Sequence, residues 1–512
     1  MEKPNIILII LDTFRADKLL TNNEGRELTP FIKTLMKNSY YFENCIANSP
    51  WTVPSHINIF TGLYATQMKN LTKKVDTLGN KIPVLTEILK DWGYHTICFT
   101  ENPHINKKEG FARGFEIFID NWQSFLTHPK RFWVDRIEKI LPISKIASRV
   151  STYIKKRIES SDVILFKIKK ILKNLKNQLF WKKILSNKTT TLDQLEKIGD
   201  ILKKKNNTNP FYLFLNIMAT HYPYVPTRQI LNKFKIRNKQ IKTIRNFLLT
   251  NPKDLINLTE SKPLSENKID IIKKLYNTSV FYADQIVKEL FSILENLGLL
   301  ENSYVVITSD HGEHLCDESD HFLCDHTTYF SLYESLLRVP LLIYHKNYKN
   351  KVIKNQVQLK DLYHTILSFT NHNSTNIKYF KKEKSLLYQI ETNSTPKFIL
   401  GEYLKPKNKV YNLIHRYRNI IKKNLISKII NDVYFLRTEK LKFIDFNSIK
   451  ELYQIETDPQ ERFNITGKNL KVQKEIKKAY DLIKEKINKK EDLIELTTEK
   501  EKDLIKRSIK LL

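Results

Sequence analysis

The sequence predicts an α/β protein, with short buried parallel strands alternating with helices and a smaller subdomain of short strands toward the C-terminus. Three observations predict it. The run Asn5 to Leu11 is continuously apolar after its first residue and stops on Asp12. Tyr304 to Thr308 is a second short β-branched run and leads into Ser309-Asp310-His311. Between residues 1 and 120, runs of this kind alternate with helix-like stretches. Short runs apolar on both faces are the pattern of strands buried between helical layers.

In chain order, residues 1–345 form the expected catalytic α/β unit, interrupted twice. Residues 121–208 read as a basic helical insertion, with 21 Lys/Arg against 7 Asp/Glu between 130 and 205. Within it, Val163 to Lys176 is amphipathic, with Leu, Ile and Phe on one face. A polar helical stretch near 226–270 is the second insertion. Residues 346–467 form the C-terminal subdomain, seen in runs such as Tyr434 to Ile444. Residues 468–512 read as a charged, lysine-rich helical tail. The 512 residues, 41% hydrophobic and 11% aromatic, suffice for a large core and exclude a disordered chain.

Ligands in open α/β sheets bind beyond the carboxyl ends of strands. Asp12, Asp310 and His311 sit at two such ends, and two hard oxygens with an imidazole make a divalent-metal set. Either aspartate alone also reads as a helix cap. Ser49-Pro-Trp-Thr-Val-Pro-Ser-His56 holds the hydroxyl of Thr52 between two prolines, ahead of a helix-like stretch. A helix N-terminus there would favour an anion.

On these segments the chain resembles the sulfatase family, within the alkaline phosphatase superfamily. Asn5 to Asp17 resembles the family's opening strand and metal aspartate, and Thr29-Pro-Phe its next signature. Ser49 to Gly62 resembles the nucleophile segment, and Gly93-Tyr-His-Thr with Gly114-Phe-Glu the strand and loop that follow. Thr220 to Tyr224 resembles the segment with a substrate-binding histidine, and Ser309 to Glu313 the second metal segment. His326, Tyr333 to Ile343, the helix from Leu359 and Glu451 to Asn464 resemble the later signatures in the same order. The resemblance runs from about residue 4 to 467. It implies an alkaline-phosphatase-like fold, a mixed and mostly parallel sheet sandwiched by helices, whose C-terminal strands form a smaller antiparallel sheet beside the main one.

The departures bear on mechanism. In sulfatases the position of Thr52 usually holds a cysteine or serine that is oxidised to formylglycine. Threonine carries a methyl on Cβ, so the same oxidation gives no aldehyde and formylglycine is not expected. His56 stands where the family has arginine, Thr13 replaces the second aspartate of an Asp-Asp pair, and His311 replaces a frequent asparagine. An imidazole ligand shifts the expected ion toward Zn or Mn and away from Ca or Mg. The resemblance then implies a divalent ion held by Asp12, Asp310, His311 and Thr52, lowering the hydroxyl pKa so that Thr52 attacks sulfur or phosphorus in line. His221 and His326 would stabilise the equatorial oxygens or protonate the leaving group. Arg15 and His56 are candidates for positioning substrate charge.

Four of the 13 histidines fall between 311 and 326, and His314, Asp320 and His321 are spaced as a candidate second metal cluster. Cys45, Cys98, Cys316 and Cys324 make no disulfide framework in a chain of this size. Cys316 and Cys324, which flank Asp320-His321, are soft metal ligands or a redox pair in the functional reading, and two reduced thiols in the plainer one, which is the expectation.

The net charge of +31 partly reflects the bias toward Asn, Lys and Ile. The basic insertion could also guide an anionic polymer or lie on an anionic membrane surface. No recognition motif for nucleic acid is present, so no specific binding of it is expected. No signal peptide or transmembrane run is visible, so the expected location is the cytoplasm, with peripheral contact at the inner membrane surface. The expected function is a metal-dependent sulfatase-family hydrolase that cleaves a sulfate or phosphate ester of an anionic small molecule, glycan or lipid headgroup through Thr52. Two alternatives stay open. One is a phosphoethanolamine- or phosphoglycerol-type transferase, or a phosphodiesterase, acting on a glycan or lipid. The other is a non-catalytic protein that binds anionic surfaces.

Overall fold

The computed structural model describes residues 3–120, 191–241, 264–405 and 430–489, apart from short stretches at 24, 73, 205–208, 225, 327–330, 371–376, 378–379, 395, 397, 448 and 469. Most of the basic insertion, including Val163 to Lys176, lies outside the described residues. So do the middle of the second insertion and the tail beyond 489.

The strands are β1 (Asn5–Leu11), β2 (Asn22–Asn23), β3 (Arg26–Glu27), β4 (Ser39–Ile46), β5 (His95–Thr100), β6 (Ile117–Asp120), β7 (Phe211–Ile217), β8 (Ser303–Thr308), β9 (Arg338–Tyr344), β10 (Lys351–Gln358), β11 (Ile399–Tyr403), β12 (Val433–Arg437), β13 (Lys442–Asp445) and β14 (Lys450–Tyr453). Eight form one sheet in the order β10-β4-β9-β8-β1-β7-β5-β6. Only β9 runs against its neighbours, pairing antiparallel with both β4 and β8. The sheet is therefore mixed and mostly parallel. A second sheet, β11-β12-β13-β14, is antiparallel throughout.

Strand β1 shows why the apolar runs are continuous. Ile7, Ile9 and Leu11 enter the core on one face, and Ile6, Leu8 and Ile10 the core on the other. The first face is covered by α1 (Pro30–Leu35), the second by α2 (Thr52–Thr61) and α3 (Leu85–Asp91). Helices α4 (Thr191–Lys204) and α5 (Glu266–Asn296) complete the first layer, and α6 (Leu362–Phe369) the second. With helices on both sides no strand face is left for water, so period-2 alternation has no driving force.

The edge strand β10 lies past residue 345, so the large sheet takes in residues beyond the boundary expected for the catalytic unit. The small sheet joins the large one through Ile46, Tyr333 and Leu337, which pack on Val433, Phe435 and Ile444. Its other face is covered by Ile476 and Tyr480 of α7 (Leu470–Lys489). The run Tyr434 to Ile444 is a hairpin, turned by the bond from Thr438 N to Leu441 O (2.7 Å). Among the described residues, no helix is long and apolar enough to cross a membrane.

Candidate active site

The large sheet brings the polar ends of β1, β5, β7 and β8 to one edge. Asp12 follows β1, Asn102 lies two residues past β5, Thr220-His221 follow β7, and Asp310-His311 follow β8. Thr52 is the first residue of α2, with extended Trp51 as its N-cap. The ten-residue helix thus starts at the hydroxyl expected to react. Every residue of the helix is buried.

Two buried carboxylate oxygens here, Asp12 Oδ1 and Asp310 Oδ2, have no hydrogen-bond partner. The other oxygens are satisfied. Asp12 Oδ2 accepts from Asn102 Nδ2 (2.7 Å), and Asp310 Oδ1 from His311 N (3.0 Å). His311 Nδ1 donates to Gly312 O (2.9 Å), which leaves Nε2 as the lone-pair nitrogen, 3.4 Å from Asp310 Oδ2 and 3.4 Å from Thr52 Oγ1. Burial, and next the charge of His326, lower the His311 pKa from 6.5 to about 3, so the ring is neutral. Ligand atoms of Asp12, Asp310 and His311 all lie within 4.8 Å of one another. Buried carboxylate oxygens without partners are costly, and a cation between them removes that cost. The residues present therefore fit a divalent ion.

Above this set, the His326 ring lies 4.7 Å from that of His311 and 4.9 Å from that of His221. His326 Nδ1 faces Glu313 Oε1 (3.1 Å) and Asp325 Oδ1 (2.9 Å). Burial opposes its charge, but these two carboxylates outweigh it and raise its pKa well above the ordinary value. Thr13, at the position of the missing aspartate, turns its hydroxyl to Thr220 O (2.8 Å).

Two expected residues have their polar groups engaged by the protein itself. Arg15 Nη1 bonds both Asp320 oxygens (2.9 and 3.0 Å) and Glu313 O (3.0 Å), while Nε and Nη2 bond Asp17. Its charge is already spent on two carboxylates. His56 has both ring nitrogens engaged, Nδ1 with Thr52 O (2.8 Å) and Nε2 with Asn216 Nδ2 (3.3 Å), so it braces the first turn of α2 and leaves no nitrogen for a substrate.

Of the candidate second cluster, His314 Nδ1 and Asp320 Oδ1 come within 3.4 Å, but among the described residues His314, Asp320 and His321 together form no group with metal-ligand spacing. Arg15 neutralises Asp320, His314 Nε2 meets Ser331 Oγ (2.7 Å), and the His321 ring stacks on Tyr333 at 3.8 Å. Burial would raise the Asp320 carboxyl, but Arg15 and then His314 hold it well below the carboxylate range. Among the described residues the second group with metal-ligand spacing is Glu313, Asp325 and His326. The expectation of two reduced thiols is also corrected. Cys316 and Cys324 are joined by a disulfide beside the bridge Leu315–Cys324, because the loop folds back on itself and brings their Cα atoms to 4.4 Å. Cys45 and Cys98 are free and buried.

Asn102 was not foreseen as a site residue. Its signal is its place just past β5, as Asp12 stands just past β1. Gly312 has a plain steric reason. Its N–H donates to Leu336 O (2.7 Å), and an added Cβ would collide with the carbonyl oxygen of Ser335. Gly312→Ala is expected to push the Ser309–Glu313 segment off β9's leading turn at a cost of about 3 kcal/mol. A lower urea midpoint at unchanged m-value is the readout; an unchanged midpoint would contradict the packing argument.

Fold and site together define an α/β ester hydrolase of the alkaline-phosphatase type. The chain belongs to the sulfatase family, whose sequence profile (Sulfatase) matches residues 4–372. It is similar to arylsulfatase K of Bos taurus, 24% identical over 505 residues that cover 91% of this chain and 79% of the bovine one. It is also similar to an arylsulfatase of Clostridium perfringens (strain 13 / Type A), 22% identical over 72% of this chain and 75% of that one. Among solved structures, BT4656 in complex with its substrate D-glucosamine-2-N,6-O-disulfate matches at a TM-score of 0.61 and 18% identity, covering 96% of this chain and all (100%) of that one. The phosphonate monoester hydrolase of Agrobacterium radiobacter matches at 0.63 and 15% identity, covering 94% and 95%. At these identities the structures share the fold.

Proposed function

We propose that this sulfatase-family hydrolase cleaves a sulfate or phosphate ester on an anionic glycan, with Thr52 as nucleophile in place of formylglycine. The observation that carries the reading is the pair of bare, buried carboxylate oxygens on Asp12 and Asp310, close to a hydroxyl at the start of a helix. Asp12, Asp310, His311 and the Thr52 hydroxyl would hold a divalent ion, with Zn or Mn ahead of Ca or Mg because one donor is imidazole. When bound, the ion supplies Lewis acidity for the hydroxyl and the ester.

The chain's own groups do the rest. Asn102 Nδ2 lies 2.7 Å from Asp12 Oδ2 and 3.5 Å from Thr52 Oγ1, which orients the hydroxyl oxygen. In the first turn of α2, Thr52 and Val53 are left to offer N–H groups to the oxygens of the group under attack, since Pro54 has none and Ser55 N donates to Trp51 O (3.2 Å). Thr52 Oγ attacks in line and releases its proton to solvent, the ester bond to the leaving alcohol breaks, and His326 gives that oxygen a proton. His221 binds an equatorial oxygen. Water, giving a proton back to His326, then attacks the covalent ester, and the departing Thr52 oxygen takes up a proton from solvent to restore the hydroxyl. The glycan reading is supported by the disulfated glucosamine in the BT4656 complex and by the net charge of +31.

The test is metal-stripped protein reloaded separately with Zn, Mn, Mg and Ca, each form assayed on aryl sulfate, phosphate monoester, phosphodiester and phosphonate ester. Turnover is expected to be highest with Zn or Mn. Equal turnover by stripped and reloaded protein would sink the metal assignment. Activity appearing only with an acceptor alcohol would turn the reading into a transferase.

A further inference from the structure

Glu313 is tied at four points beside the three histidines. It comes from the same segment as Asp310 and His311, yet its side chain reaches across 13 residues to His326. Oε1 meets His326 Nδ1 (3.1 Å), and Oε2 accepts from the Tyr224 hydroxyl (2.8 Å). Its N–H donates to Ser335 O (3.2 Å), and its carbonyl accepts from Arg15 Nη1 (3.0 Å). The residue is fully buried. Tyr224 is fixed in turn. It stands at φ 56° and packs edge-on against Tyr276 at 5.4 Å. Tyr276 donates to Thr13 O (2.7 Å), one residue from Asp12.

An imidazole held through Nδ1–H by a carboxylate has its ring direction set, and its other nitrogen is left for a ligand. His326 meets this condition, since Nδ1 is taken and no hydrogen bond to Nε2 occurs among the described residues. Asp325 also reaches Nδ1, but it is the adjacent residue and travels with His326. Among the described residues, Glu313 supplies the side-chain hydrogen bond that ties His326 to the segment carrying Asp310 and His311.

We infer that Glu313 is a positioning residue, which holds the His326 ring with Nε2 presented to the leaving oxygen of an ester bound at Thr52. The inference rests on the reading of Thr52 and His326 proposed above. It adds that leaving-group protonation depends on a carboxylate that touches no substrate. A buried ion pair that merely supports the loop would act on all substrates alike; a positioning role would not. A poor leaving group needs the proton, and an activated one hardly does.

The experiment compares wild type, Glu313→Gln and Tyr224→Phe, all loaded with Zn, on a nitrophenyl ester and an alkyl ester of the same acid. Glu313→Gln is expected to lose roughly 10–100-fold in kcat on the alkyl ester. On the nitrophenyl ester the loss is about 3-fold or less, and KM moves little on either. Tyr224→Phe, which keeps the carboxylate and removes one hydroxyl, is expected to show the same selectivity at a few-fold. Equal losses on both esters would overturn the inference in favour of a structural role.

A second readout needs no turnover. The Nδ1 proton of His326, assigned by its absence in His326→Gln, gives a downfield NMR resonance in wild type. It is expected to move or vanish in Glu313→Gln while the other histidine signals stay. Its persistence at the wild-type position overturns the inference even if no ester is turned over. Its loss from a protein without ester turnover upholds the positioning and condemns the assigned reaction instead.

Discussion

Thr52→Ala is expected to lower turnover on the best ester substrate by on the order of 10⁴-fold or more, the scale on which removal of a covalent nucleophile acts. The loss should fall on kcat, because Thr52 forms a bond in the transition state and contributes little ground-state contact. Stability should barely change. The hydroxyl's contacts are long, 3.4 Å to His311 Nε2 and 3.5 Å from Asn102 Nδ2, and alanine is a better helix former at the start of α2. Thr52→Ser keeps the oxygen and loses only the methyl, so it should retain turnover within about 10-fold, a margin typical of a misplaced but intact group. Burst kinetics and mass spectrometry of quenched enzyme should find a sulfated or phosphorylated residue 52 in wild type and none in Thr52→Ala. Turnover by the alanine variant within 10-fold of wild type would end the assignment and point to direct attack by water.

Asp310→Asn should have the next largest effect, on metal binding first and turnover as a consequence. Asp310 Oδ2 is one of two bare carboxylate oxygens facing the His311 lone pair. Removing its charge should weaken divalent-ion affinity by more than roughly 100-fold, since even residues that only support a ligand are worth 10–100-fold. The stability readout changes sign between states. Wild type should gain about 2.7 kcal/mol from an ion at 100 times its dissociation constant, and the variant almost nothing. Without metal the order reverses. The variant then carries one buried charge fewer beside Asp12 and should melt higher than stripped wild type. Thermal melts with and without Zn, and metal content after dialysis, decide it. A variant that keeps its ion through dialysis would show that Asp310 is not a ligand.

Much of this was legible in the chain itself. The β1 and β8 runs, the aspartates that end them and the hydroxyl ahead of α2 are local patterns, and local patterns survive without tertiary information. The mixed sheet and the antiparallel second sheet were also expected, although the strand at 351–358 lies past the boundary drawn at 345. Asn102 escaped notice because nothing in Glu101-Asn102-Pro103 differs from an ordinary loop until β5 is set beside β7 and β1. Arg15 and His56 are candidates for positioning substrate charge on residue type and place in the chain, and neither property shows which partners they meet. Arg15 instead meets Asp320, 305 positions away in the chain.

By itself the sequence determined the family, the strand ends and the chemistry of the donors, because apolar periodicity and residue type are properties of short segments. Which donor faces which was decided only by the tertiary structure. Asp320 became the partner of Arg15, Cys316 met Cys324, and Glu313 came to face His326. The physical reason is that a buried charge takes the partner the packing brings within about 3 Å, as short charge-assisted bonds require. The loops after β1 and β8 are neighbours only because the sheet order β8-β1 joins strands some 300 residues apart.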